Sequence, residues 1–97
     1  MGLMFEWELK KAMRNIKIHG VSFDEASTVF RDPLSRTIDD PLHSEDEERF
    51  VLIGQSERGR LLVVVHTERG DRIRIISARS ATNKEKLKYE EYEENEE

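Results

Sequence analysis

The sequence predicts one α+β domain, in which two N-terminal helices and a C-terminal helix pack on one face of an antiparallel sheet of three to four strands. Helical periodicity and two capping boxes predict the helices, and three runs rich in valine, isoleucine and leucine predict the main strands. Short glycine-containing loops separate these runs, and such loops join antiparallel neighbours because parallel strands need a long crossover. A length of 97 residues fits a single domain, residues 1–97.

The two N-terminal helices are predicted from periodicity and from their end signals. The first runs from Glu8 to His19-Gly20, where glycine suits the left-handed residue that follows a helix. Its apolar positions follow the i, i+3, i+4, i+7 spacing of an amphipathic helix: Leu9, Ala12, Met13 and Ile16. The second opens with the capping box Ser22–Glu25 and stops before Asp32-Pro33, because proline disfavours a helical residue ahead of it.

The rest of the chain reads as strands followed by a charged helix. The three long strands are predicted at Arg49–Gln55, Arg60–Thr67 and Arg72–Ala78. Leu3–Phe5 and Pro33–Asp40 are shorter strand candidates. A second capping box, Thr82–Glu85, opens a C-terminal helix, and residues 90–97 are expected to form an acidic, frayed tail because few apolar anchors hold them.

The composition excludes several classes of protein. The chain has no cysteine, which excludes disulfides, thiolate zinc sites and a cysteine nucleophile. Its longest purely apolar run, Leu61–Val65, is far shorter than the ~20 residues of a membrane span, and the N-terminus lacks the pattern of a signal peptide. We therefore expect a cytoplasmic protein that uses no membrane and no cofactor.

The charge is distributed unevenly along the chain. The formal net charge is −5, and residues 85–97, with seven glutamates and two lysines, carry that charge alone. The segment Arg58–Lys84 holds seven bases and two acids, a net charge of +5. The total charge therefore conceals a basic block of the kind that binds an anionic partner such as nucleic acid.

Side chains suited to phosphate and proton chemistry lie at the predicted strand ends. His43, Glu47 and Arg49 stand close together before the first long strand, Arg60 opens the second, and Arg79 ends the third. RNA cleavage without metal needs groups of these types. Histidine and glutamate can move the protons, and the guanidinium fork of arginine fits phosphoryl oxygens.

Strand alternation distributes the charges of the third long strand between two faces. Arg72 and Arg74 share one face, and the residues expected on the other are Ile73, Ile75, Ser77 and Arg79. Arg79 would then end an otherwise apolar face and would need a partner, because an unpaired buried charge is costly.

Taken together, the motifs resemble the BrnT family, the ribonuclease half of BrnT–BrnA type II toxin–antitoxin pairs. The matching segments cover residues 5–90 in order and include Phe5-Glu6-Trp7, His19–Ala26, Asp32-Pro33-Leu34, His43-Ser44, Glu47-Glu48-Arg49, Ile53–Ser56, Gly59–Leu62, Arg74–Arg79 and Ala81-Thr82. The family has Asp after the tryptophan, where this chain has Glu8. It has Lys before His-Gly, where this chain has Ile18, with Lys17 one position earlier.

The resemblance implies a RelE-like fold, endoribonuclease activity and neutralisation by a BrnA-type antitoxin. It further implies a toxin dimer within the antitoxin complex, with DNA contacted only through the antitoxin. Combined with the residues above, it predicts Arg60 and Arg79 on the phosphate, with His43 and Glu47 in proton transfer. The remaining candidates are Lys11 as a supporting cation in the catalytic set and Arg49, Arg72 and Arg74 in RNA binding.

Two other functions stay open at this point. The first is a non-catalytic partner-binding module or co-repressor, a degenerate toxin, which Ile18 keeps open. The second is a metal-dependent nuclease, for which the available ligands are Asp39, Asp40, His43, Glu45 and Asp46, although no spacing among them matches a known site. Ordinary structural roles also compete: ion pairs for Arg60 and Arg79, and a packing anchor for Tyr89.

Overall fold

The computed structural model describes residues 3–39 and 48–94 of the chain. Its strands are β1 (Met4–Glu6), β2 (Arg36–Asp39), β3 (Phe50–Gln55), β4 (Leu61–Arg69) and β5 (Arg72–Ser80). Its helices are α1 (Leu9–His19), α2 (Phe23–Thr28), a 3₁₀ turn at Val29–Arg31, and α3 (Asn83–Glu94). The two N-terminal helices and the C-terminal helix are confirmed, and α3 extends into the segment 90–97 that was expected to fray.

The sheet has five strands in the order β1-β5-β4-β3-β2 and is mixed, so the prediction of three to four antiparallel strands is wrong in both respects. The pairs β2–β3, β3–β4 and β4–β5 are antiparallel, as their short loops require. The pair β1–β5 is parallel and aligns Glu6 with Arg74. Local patterns could not reveal this pairing, because residues 7–71 separate the two strands along the chain.

The helices lie on both faces of the sheet, not on one face as predicted. Helices α1 and α2 cover the main core, whose fully buried side chains include Val21, Phe23, Leu62, Val64 and Ile75. Helix α3 lies against the other face, because Glu85 contacts Arg79 and three α3 residues share a groove with Val51, Ile53 and Val63. The far face is thus partly covered by a charged helix.

A β-bulge in β5 changes which side chains face the core. Val65 pairs with Ser77 and His66 pairs with Ile75, so Ile76 is the extra residue. An extra residue inverts the alternation beyond it. Ala78 therefore joins the core with Ile75, and Arg79 lies on the opposite face with α3. The prediction that Arg79 shares a face with Ile73 and Ile75 is wrong for this reason.

Helix α1 is rotated away from the orientation that its apolar stripe favours. Ala12 and Asn15 are buried, whereas Leu9, Met13 and Ile16 are 71%, 63% and 51% exposed. Asn15 fixes this rotation. Its Nδ2 donates to the carbonyl oxygens of Val21 (2.8 Å) and Ala78 (2.7 Å), and its Oδ1 accepts from the Ala78 amide (3.1 Å). The two bonds with Ala78 tie α1 to β5, and the bond to Val21 ties it to the segment that leads into α2.

Candidate functional site

A cleft of about 540 Å³ opens at the end of the sheet where β3 turns into β4. The turn that follows β3, the start of β4, the end of β5 and helix α3 all contribute to its wall. The lining residues are Asp32, Leu34, Gln55, Gly59, Arg60, Leu61, Ser80, Lys86, Tyr89 and Glu90. Arg60 and Lys86 give this cleft the positive groups that a phosphodiester needs.

Arg60 is held at the edge of the cleft by Glu25 of α2. Its Nε donates to Oε2 of Glu25 at 2.9 Å and its Nη2 donates to Oε1 at 2.5 Å, a two-point ion pair. Nη2 also donates to the carbonyl oxygen of Gly20, which ends α1 in the left-handed region at φ 70°. The Arg60 side chain is 37% exposed, so the guanidinium is held in a fixed orientation on a side chain that still has access to solvent.

The carboxylate of Glu25 is almost completely buried, with 4% of the side chain exposed. The Ser56 hydroxyl donates to it at 2.8 Å, and Ser56 also closes the β3–β4 turn through its backbone amide and the Arg60 carbonyl (2.8 Å). These bonds, with that from Arg60 first in size, hold the pKa of Glu25 below its usual value despite the burial that opposes them. Glu25 is therefore an anion aimed at Arg60.

Glu25 departs from its predicted role in the capping box. Ser22 does accept a hydrogen bond from the Glu25 amide at 3.0 Å, so the serine half of the motif is confirmed. The Glu25 carboxylate binds Arg60 and Ser56 instead of reaching back to the Ser22 amide. Glu25, which the sequence assigns to helix capping, thus forms the ion pair that orients Arg60 of the cleft.

Arg79 is held in the same manner by Glu85 of α3. Its Nη1 and Nη2 donate to Oε1 and Oε2 of Glu85, both at 2.9 Å. The capping box Thr82–Glu85 is complete here: Glu85 accepts from the Thr82 amide (2.8 Å), and its own amide donates to the Thr82 hydroxyl (3.2 Å). The Arg79 hydrogen bonds are the main cause that lowers the pKa of Glu85 to about 2.

Arg60 and Arg79 reach the same end of the sheet. Arg79 precedes Ser80, which lines the cleft, and Leu61, which follows Arg60, accepts from the Ala81 amide at 2.9 Å. Each guanidinium is fixed by a glutamate at the third helical position of a helix that a serine or threonine caps. Arg60 lines the cleft itself, whereas Arg79 is not among the lining residues and is followed by Ser80, which is. The arrangement places two oriented guanidinium groups at one end of the sheet, a geometry that suits phosphate recognition.

Comparison with known proteins identifies the family of the chain. A family model described as ribonuclease toxin, BrnT, of type II toxin–antitoxin system matches residues 7–85. The chain belongs to the BrnT family of ribonuclease toxins. A crystal structure of the Brucella abortus ribonuclease toxin BrnT superposes with a TM-score of 0.65 at 20% identity, covering 84% of this chain and 100% of that one. No curated protein sequence matches the chain.

Three other predicted site residues of this BrnT-family chain, Arg49, Arg72 and Arg74, lie away from the cleft. Arg49 precedes β3 and so stands at the other end of that strand, about 20 Å from Gln55. Arg72 and Arg74 also lie toward that end, where they contact Glu6 at 3.4 Å and 3.2 Å. These contacts, with that from Arg74 largest, lower the pKa of Glu6.

Lys11, His43 and Glu47 complete the predicted set. Lys11 is exposed on α1, nine residues before Gly20, which corresponds to about 13 Å along the helix axis. It therefore does not share the immediate surroundings of Arg60. His43 and Glu47, the two proton-transfer candidates, lie outside the described residues.

Sequence reasoning did not identify Asp32 and misread Tyr89 in part. Tyr89 is buried, as a packing anchor should be, but its hydroxyl also donates to Oδ2 of Asp32 at 2.6 Å. Asp32 accepts further from the amides of Gln55 (2.7 Å) and Leu34 (2.9 Å). These hydrogen bonds outweigh burial, so the pKa of Asp32 is lowered. The Asp-Pro sequence signalled only a helix end.

His66 is a further buried polar group that the sequence did not single out. It is 2% exposed, and its ring packs against those of Phe30 and Phe50 at centroid distances of 4.8 Å and 5.7 Å. Burial is the main cause that lowers the pKa of His66. It lies on β4 far from the Arg60 end, so it is part of the core.

The described residues contain no cluster of three or more histidine, cysteine, aspartate or glutamate side chains that could hold a metal ion. Most of the ligands considered for a metal-dependent nuclease, residues 40–46, lie outside the described part. Among the helices described, none has the length and apolar character to cross a membrane.

Proposed function

We propose that this chain is a toxin that cleaves RNA internally, without metal, by attack of the 2′-hydroxyl on the adjacent phosphorus. The observation that carries the proposal is the pair of oriented guanidinium groups at one end of the sheet, Arg60 held by Glu25 and Arg79 held by Glu85. Arg60 lines the cleft at that end. Family membership supports the ribonuclease class. The arginine pair supports a reaction in which guanidinium groups stabilise the charge of a phosphate.

In this mechanism the arginines stabilise negative charge on the phosphate, and other residues transfer protons at the attacking and leaving oxygens. A base removes the 2′-hydroxyl proton, the oxygen attacks phosphorus, and an acid protonates the leaving 5′-oxygen, giving a 2′,3′-cyclic phosphate. Arg60 and Arg79 stabilise the added charge on the phosphoryl oxygens. Because each guanidinium is already fixed, little reorganisation is needed as that charge develops.

The other candidates support these two arginines. We assign the proton steps to His43 and Glu47, and electrostatic attraction of the RNA to Lys11. Arg49, Arg72 and Arg74 are proposed to bind the flanking RNA backbone, since they stand about one strand length from the cleft.

The proposal includes the partners of the toxin. A BrnA-type antitoxin neutralises the chain in the cytoplasm, two toxin copies occupy the antitoxin complex, and the antitoxin makes the DNA contacts. Free toxin then inhibits translation and growth by RNA cleavage.

The test uses purified, antitoxin-free protein and an RNA oligonucleotide in EDTA. A matched oligonucleotide carries a single 2′-deoxy substitution at the cleavage site. Cleavage of the first and protection of the second, with a cyclic phosphate detected by mass spectrometry, is the expected result. Cleavage that EDTA abolishes, or that continues at the 2′-deoxy position, would overturn the mechanism.

A further inference from the structure

Helix α1 presents its apolar stripe to solvent instead of to the core. Leu9, Met13 and Ile16 are 71%, 63% and 51% exposed, although they are spaced to form one continuous face of the helix. Single exposed apolar residues are common on protein surfaces, but three in register along one helix form an apolar patch of the kind that marks an interaction site.

The outward orientation is built into the fold. Two hydrogen bonds between Asn15 and Ala78 of β5 and one from Asn15 to Val21 hold α1 with Ala12 and Asn15 inward, so the stripe cannot turn to the core without breaking buried hydrogen bonds. The polar residue Asn15 thus fixes the rotation of α1 that exposes its apolar stripe. The surface is a stable property of the folded chain.

The charges around the stripe define the chemistry of its occupant. Leu9–His19 contains four cations and no acid: Lys10, Lys11, Arg14 and Lys17. Lys10, Arg14 and Lys17 border the stripe along one flank at helical spacing. A second copy of α1 would bring the same positive charges together, which disfavours self-pairing. An amphipathic helix with an acidic flank satisfies both the apolar stripe and the cations.

We propose that the Leu9–Met13–Ile16 face of α1 docks an amphipathic, acidic-flanked helix of the antitoxin. This inference rests on the proposed function for the existence of the antitoxin, and it adds the surface and the chemistry of the segment that binds there. The face is separate from the arginine cleft, so the antitoxin has an anchoring point that does not depend on the substrate site.

The experiment compares two substitutions on the same helix. Met13→Glu places a charge in the stripe, and Ile18→Glu places the same charge at a similarly exposed position (58%) about 140° around the helix. Affinity for the antitoxin encoded with the toxin is measured by isothermal titration calorimetry. RNA cleavage by each free variant and its circular dichroism spectrum report whether the fold is intact.

The expected result is at least a 30-fold loss of antitoxin affinity for Met13→Glu, a change within threefold for Ile18→Glu, and unchanged cleavage for Met13→Glu. Equal affinities for wild type and Met13→Glu, or no complex at all with the wild type, would overturn the proposal. So would a dimer of free toxin in sedimentation that Met13→Glu dissociates while antitoxin affinity stays unchanged. A selective Met13→Glu loss in a chain that cuts no RNA would support this surface and contradict the proposed activity.

Discussion

Arg60 and Glu25 form a two-point ion pair that joins the start of β4 to helix α2. Arg79 and Glu85 repeat the arrangement between the end of β5 and α3. In both pairs the glutamate stands three residues after the serine or threonine that caps its helix. The third helical position, whose glutamate usually completes a capping box, here orients a guanidinium in both pairs. Both guanidinium groups lie at the cleft end of the sheet.

Glu25→Gln tests the first pair. The substitution keeps the shape of the side chain but removes the charge of the nearly buried Glu25 carboxylate, which orients Arg60. We expect the free energy of unfolding to fall by about 2 kcal/mol, since the pair is buried on one side and partly solvated on the other. The single-turnover rate of RNA cleavage should fall about tenfold because the guanidinium loses its fixed orientation.

The control is Glu57→Gln, which removes the same charge from an exposed residue of the adjoining turn. It should change the free energy of unfolding by less than about 0.5 kcal/mol and leave cleavage unaltered. A Glu25→Gln protein as stable and active as Glu57→Gln would show that the Arg60 pair has no role in either property.

The features that depend on neighbouring residues could be predicted from the sequence. Ser22 and Thr82 do cap their helices, and the antiparallel strands follow from short loops. Features set by distant residues could not be predicted. The bulge at Ile76 inverts the alternation, so Arg79 faces α3 instead of the core side. Likewise, Asn15 finds its partner at Ala78, which no spacing within α1 indicates.

The candidate site shows the same division. Arg60 and Arg79 were predicted as phosphate ligands because the first opens a strand, the second ends one, and arginine suits phosphate. Glu25 was missed because the capping motif already explained it, and only the fold brings it to Arg60. Lys11 was grouped with these arginines by residue type, yet its position on α1 separates it from them.

The Arg79–Glu85 pair predicts an acid-dependent loss of stability. The pKa of Glu85 is lowered to about 2 in the folded chain, from 4.5 for an unperturbed glutamate. The contribution of this ion pair to the stability of the folded state is therefore complete above about pH 4.5 and is lost as the pH falls from 4.5 toward 2. Glu85→Gln should be less stable than wild type by about 1 kcal/mol at pH 7, after allowance for solvent screening, and this gap should narrow steadily as the pH falls from 4.5 toward 2.

Urea unfolding followed by the fluorescence of the single tryptophan, at pH values from 7 to 3, measures the gap. Glu91→Gln, an exposed residue of the same helix, controls for general charge effects. A gap that is constant with pH would contradict the proposed strength of the ion pair.

His66 predicts a second pH effect, in a higher range. Burial lowers the pKa of this imidazole in the folded chain, whereas the unfolded chain protonates near 6.5. Protonation therefore favours the unfolded state, and stability is lost as the pH falls below about 6.5. His66→Phe removes the titrating group from a site lined by Phe30 and Phe50, so the variant should lose less stability than wild type between pH 7 and pH 5.

Thermal unfolding at the two pH values provides the comparison, with His19→Gln as the exposed-histidine control. If wild type and His66→Phe lost equal stability on acidification, His66 would not resist protonation in the folded state.

The most direct test of the arginine cleft is the single-turnover rate of RNA cleavage by Arg79→Ala beside Arg72→Ala. Both remove a guanidinium from β5, but Arg79 stands at the cleft end and Arg72 pairs with Glu6 at the other. The enzyme is kept in saturating excess over RNA, so that weaker RNA binding by Arg72→Ala does not limit the rate. We expect Arg79→Ala to cleave about 100-fold more slowly, as for loss of one donor to a developing oxyanion, and Arg72→Ala to stay within about threefold of wild type. Folded Arg79→Ala protein that cleaves RNA at the wild-type rate would contradict the central claim that the two guanidinium groups at this end of the sheet act together in catalysis.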